Sequence, residues 1–181
     1  MFAETLEGAL VTLKPVGISG LGRLCKDFQN EDLHTDAGLY NPPTEQSLRE
    51  DLVDEELFIC DMIPEESDKS VGYAAVIAYS GPPFVLVYFF AKDRMDLDLA
   101  QEAVLLLTHA FFQNTSEEQL WTYQVKPIDD EIHDRLIEGG FDFWDQDVPG
   151  IEHDKVACYL MERHTYDAYY GDESEEEDVD Y

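Results

Sequence analysis

The chain has 181 residues, 44% of them apolar and 12% aromatic, enough for one ordinary domain with its own core. Its 41 acidic against 11 basic residues give a formal net charge of −30, a balance that repels nucleic acid and anionic membranes and attracts basic partners. No apolar run reaches the ~18 residues of a membrane span, and the start MFAETLEGAL lacks the basic and apolar regions of a signal peptide; the three scattered cysteines, Cys25, Cys60 and Cys158, form neither a disulfide framework nor a metal knuckle, so a reducing, cytoplasmic setting is expected.

Residues 9–16, ALVTLKPV, alternate and are β-branched, which predicts a strand. Residues 17–29 place Ile18, Leu21, Leu24, Cys25 and Phe28 at helical spacing despite three glycines. After a loop with NPP, Thr44 is positioned to cap a helix with Leu48 and Leu52 on one face. Strands follow at 56–63, 70–79 and 84–92, joined by the turns PEESDK and SGPP. Their apolar residues run nearly without a break, so both faces of the sheet should be covered. Asp96 is positioned to cap a helix over 97–112, with Leu97, Ala100, Val104, Leu107, Thr108 and Phe111 on the buried stripe. QLWTYQV, residues 119–125, reads as a strand. Asp129 or Asp130 then caps a helix to Glu138 with Ile132, Leu136 and Ile137 turned inward, and GGF ends it. Residues 141–145 and 155–163 form a last strand pair. From His164 onward acids and tyrosines lack periodicity, and residues 167–181 hold 8 acids and no base. The expected division is therefore a domain over 1–163 and a disordered or loosely docked acidic tail over 164–181. The element order implies an α+β fold, a mixed central sheet of about seven strands with helices on both faces.

Three patches in this order, LVTLKPV, SVGYAAVIAY and VKPIDDEIHDRLIEGGF, resemble the opening strand, third strand and fourth helix of the GCN5-related N-acetyltransferase (GNAT) family. The resemblance covers roughly residues 8–163. It implies a fold in which the fourth strand splays from the fifth and acetyl-CoA enters the gap. A loop of the pattern Arg/Gln-x-x-Gly-x-Gly/Ala at the third helix wraps the pyrophosphate, a tyrosine on the fourth helix acts as general acid, and a strand carboxylate or water acts as base.

The sequence departs from that pattern at both key places. Residues 92–102, KDRMDLDLAQE, carry no glycine, and Asp96, Asp98 and Glu102 would face the phosphates. Two like unit charges about 4 Å apart repel by on the order of 4 kcal/mol at an effective dielectric of about 20, about three decades in affinity. Leu136 stands where the tyrosine is expected.

Five histidines lack metal-ligand spacing and read as surface residues, no metal is expected, and Cys60 and Cys158 read as core. If catalysis survives, Tyr88, Tyr123, Glu56 and Asp61 are the positions for a base or substrate contact. Phe90, Lys92 and Arg94 are the positions for an acyl-CoA. In the tail, Tyr169, Tyr170, Asp172, Glu173, Glu175, Glu176, Glu177 and Asp178 are the expected partner contacts, carboxylates steering and tyrosines supplying area. Two functions follow as expectations. In the first the chain is a non-catalytic, cofactor-free module for a basic protein or cationic ligand, its surface mimicking nucleic acid and binding neither nucleic acid nor membrane. In the second it is an atypical N-acetyltransferase using acetyl-CoA on a polyamine or lysine.

Overall fold

The computed structural model describes residues 4–29, 44–53, 57–78, 82–90, 95–146, 148 and 154–171. The chain divides into two compact units, Met1–Thr115 and Ser116–Tyr181.

The first unit holds β1 (Leu6–Glu7), β2 (Val11–Pro15), α1 (Leu21–Asp27), α2 (Glu45–Val53), β3 (Leu57–Pro64), β4 (Gly72–Ile77), β5 (Phe84–Phe89) and α3 (Leu97–Asn114). Its strands pair antiparallel in chain order from β1 to β5. Leu21 and Leu24 of α1 are fully buried and Phe28 nearly so, as the spacing predicts. Ile18 sits instead in a 3-10 turn, Ile18–Gly20, and is 53% exposed. Thr44 Oγ1 accepts from the Ser47 amide at 3.1 Å, the expected cap of α2, and Leu48 is buried. β4 is buried almost throughout and β3 over its first half, whereas β5 is buried at Val85, Leu86 and Tyr88 and half-buried between and beside them. Gly72 opens β4 because β5 comes so close that a Cβ there would lie 1.9 Å from the Tyr88 carbonyl oxygen.

Helix α3 packs against β2, β4 and β5. Its buried residues are Leu99, Ala103, Leu107, Thr108, Ala110, Phe111 and Phe112. The stripe is rotated from the expected one, leaving Leu97, Ala100 and Val104 half-buried. The helix is apolar around most of its circumference, so periodicity alone does not fix the inward face.

The second unit holds β6 (Gln119–Val125), α4 (Asp130–Glu138), β7 (Asp142–Trp144), β8 (Val156–Glu162) and α5 (Arg163–Tyr170). β8 runs antiparallel between β6 and β7, and Ala157 to Met161 are all buried. Asp129 caps α4, accepting from the amides of Glu131 and Ile132 at 3.0 and 3.2 Å. Gly140 ends it with φ +88, a left-handed conformation that favours glycine, and Phe141 turns into the core. Helix α4 lies shallower than expected: Ile132 and Leu136 are half-buried and Ile137 is 40% exposed.

The start of the acidic stretch expected to be disordered or loosely docked is helical, as α5, Arg163–Tyr170. Tyr166 is buried, and the Tyr170 hydroxyl donates to the Gly139 carbonyl at 3.2 Å. Tyr166 and Tyr170 stand one turn apart on one side of the helix, their rings 5.5 Å apart, and both anchor it to the rest of the second unit. Residues 172–181 lie outside the described residues. The α+β class expected from the sequence holds, with five strands in the first unit and three in the second among the described residues. No described helix is long and apolar enough to cross a membrane.

Candidate functional site

The start of α3 is where a phosphate would meet free backbone N–H groups and the positive end of the helix dipole. There the Asp96 carboxylate accepts from the amides of Asp98 and Leu99 at 3.0 and 3.2 Å. An internal anion thus occupies two of the donors that a pyrophosphate would use. Asp98 adds a second carboxylate in the first turn. These residues do not fit a phosphate-bearing cofactor at the helix start.

Glu102 does not join them. Its carboxylate accepts from three successive amides, Ala9 at 2.8 Å, Leu10 at 2.7 Å and Val11 at 2.8 Å. The expectation that it faces a ligand is corrected: it clasps the turn between β1 and β2. Nothing in the spacing around Glu102 signals this, because its partners lie more than ninety residues away. Lys92 and Arg94, named as acyl-CoA contacts, lie outside the described residues, and so does Glu56.

A second polar group stands across the middle of the same unit. The register places Lys14, Asp61, Tyr73 and Tyr88 side by side on adjacent strands, so Asp61, Tyr73 and Tyr88 share one face. Helix α1 covers that face: Phe28 stacks on Tyr73 at 5.9 Å between ring centroids and meets Tyr88 edge-on at 5.8 Å. Phe90, a candidate from the sequence, lies edge-on to Tyr73 at 5.1 Å. Arg23 and Asp27, one turn apart on α1, reach the row from above. Arg23 Nη2 lies 2.6 Å from Asp61 Oδ2, and its guanidinium carbon 5.8 Å from the Tyr73 ring centroid. The Tyr73 hydroxyl donates to Asp27 Oδ2 at 2.6 Å. Burial, reinforced by that bond, pushes the Tyr73 phenol well above its ordinary range, and the bond to Asp61 raises Arg23. Asp61 Oδ1 is buried and has no hydrogen-bond partner among the described residues. The structure thus brings together Asp61, Tyr88 and Phe90 from among the sequence candidates. It adds Arg23, Asp27 and Tyr73, of which the readable sign is an arginine and an aspartate one turn apart in a short helix.

In the second unit Leu136 is half-buried on α4 and offers no proton. Tyr159 on β8 is fully buried beneath His133 and Phe143, with ring centroids 5.6 and 5.5 Å away. Its hydroxyl meets His133 Nδ1 at 3.0 Å and accepts from Gln124, whose Oε1 in turn accepts the Asp129 amide at 3.0 Å. His133 is therefore a half-buried partner of Tyr159 rather than a surface residue. Tyr123, a candidate base, is half-buried on β6. Cys60 and Cys158 are buried as expected, and burial pushes both thiols up, away from reactivity. Among the described residues no group of histidine, cysteine and acidic side chains could hold a metal ion. Of the expected partner contacts, Tyr169 is 61% exposed and Tyr170 docks α5. Asp172, Glu173, Glu175, Glu176, Glu177 and Asp178 lie outside the described residues.

No family model matches this sequence, and no curated protein matches it significantly. Solved structures do. The chain is similar to a GCN5-related N-acetyltransferase from Brucella melitensis at 17% identity and TM-score 0.58, covering 93% of this chain and 82% of that one. It is similar to spermidine N-acetyltransferase from Vibrio cholerae, solved with CoA and spermine, at 11% identity and TM-score 0.64, covering 88% and 99%. It is also similar to an aminoglycoside acetyltransferase in complex with coenzyme A, at 15% identity and TM-score 0.63, covering 87% and 98%. At these identities the likeness establishes the fold, and the chain has the GNAT fold.

Proposed function

We propose that this acetyltransferase-like chain is a non-catalytic GNAT-fold module that docks a basic protein or cationic ligand. One observation carries the reading: the Asp96 carboxylate takes the amides of Asp98 and Leu99, so the helix start is filled by the chain's own anion. The net charge of −30 supplies the attraction for a cationic partner and works against a polyanionic cofactor. The test is titration of a labelled decalysine over a salt series. Binding at low salt that weakens steeply as salt rises supports the reading. Absence of binding at low salt overturns it.

A second reading is N-acyl transfer from acetyl-CoA to a basic amine. It is favoured by the buried Oδ1 of Asp61, which has no hydrogen bond among the described residues and lies beside Tyr73 and Tyr88. A carboxylate oxygen so placed suits an ammonium group. Two of the structures with this fold are named for spermidine and aminoglycoside acetylation. Acetyl-CoA binding separates the two readings.

A further inference from the structure

We infer that the partner's basic segment docks on the second unit, over Phe143 and Ile137, and that it carries apolar side chains among its lysines or arginines. This rests on the reading of the chain as a module for a basic partner and places that partner's footprint. Phe143 is 43% exposed although its ring already meets His133 and Tyr159 on one side. Ile137 is 40% exposed and lies one turn beyond His133 on α4, the helix that packs against β7. β7 is a short strand that pairs with β8 alone among the described residues. Two large apolar side chains thus stand open beside a strand that has one edge unpaired among the described residues, a combination that soluble proteins usually cover or blunt.

The surround names the occupant. Residues 128–146 contain seven acids against a single arginine. That arginine, Arg135, is held by Glu131 at 3.1 Å. Asp134, Glu138, Asp142 and Asp145 are all exposed. A second copy of this chain would bring the same acids to the same place and be repelled. A purely cationic ligand would satisfy the carboxylates and leave the aromatic ring wet. A segment with both kinds of side chain meets the whole patch, apolar contact at the centre and charge at the rim.

The experiment compares two labelled decapeptides of equal charge, one alternating lysine and valine, the other lysine and glycine. Binding to the full chain is followed by anisotropy at low and physiological salt, with amide chemical shifts recorded in parallel. The valine peptide should bind about tenfold tighter, and the largest shifts should fall on residues 137 and 142–145. Phe143→Ser and Ile137→Ser, each an exposed site, should remove that advantage while leaving the glycine peptide unchanged. Ile18→Ser, exposed in the first unit, should change neither. Equal affinity of the two peptides, or shifts that avoid this surface, overturns the footprint and leaves the module reading standing. Failure of both peptides to bind at low salt overturns both.

Discussion

Asp96 holds two backbone amides that any phosphate ligand at this helix start would need. Its local role is a cap, and its loss has a definite size. Asp96→Ala should lower stability by about 1 kcal/mol, seen as a fall of about 2–4 °C in Tm, and Asp96→Asn by clearly less. An unchanged Tm in both would show that the cap contributes nothing and that the carboxylate has another purpose. Tyr73 gives a second prediction at this scale. Its phenol is raised by burial and by its bond to Asp27. Above the ordinary phenol range, about 10, the unfolded chain gives up a proton that the folded chain keeps, so stability falls as pH climbs. Tyr73→Phe should flatten that alkaline loss. It should also cost some stability at neutral pH, because Asp27 loses a donor. Denaturant unfolding between pH 7 and 11 measures both effects.

Glu102 ties α3 to the turn between β1 and β2 through three amides. Glu102→Ala should leave those donors to water, cost about 1–3 kcal/mol, and speed hydrogen exchange at Ala9, Leu10 and Val11 ahead of the rest of β2. Exchange at those amides equal to that of the intact chain would show that the clasp carries no energy. The caps at Thr44, Asp96 and Asp129 and the Gly139-Gly140 stop were readable because they act within a few residues of chain. The buried face of α3 was not, because LLLTHAFF is apolar on nearly every side. Helix α5 was hidden because its support is tertiary: Tyr170 needs the Gly139 carbonyl, which spacing does not reveal. The same holds for the polar row. Asp61 was named as a strand carboxylate, whereas its union with Arg23, and that of Tyr73 with Asp27, depend on α1 crossing that face.

The molecule as a whole carries 30 more negative than positive charges, far beyond what solubility requires of a small domain. Attraction over such a surface is long-ranged and salt-sensitive, so a cationic partner should associate faster as salt falls. Repulsion acts on anions by the same field, and the carboxylates at the start of α3 add to it at short range. A GNAT fold with these features is expected to bind cations and to refuse the fold's usual phosphorylated cofactor. The most direct measurement is calorimetric titration of the full chain with acetyl-CoA and with CoA, at low and at physiological salt. A module of this kind gives no saturable heat at millimolar ligand and no change in Tm. Micromolar binding accompanied by a rise in Tm would contradict it and make the Asp61–Tyr73–Tyr88 row the place to look for an amine substrate.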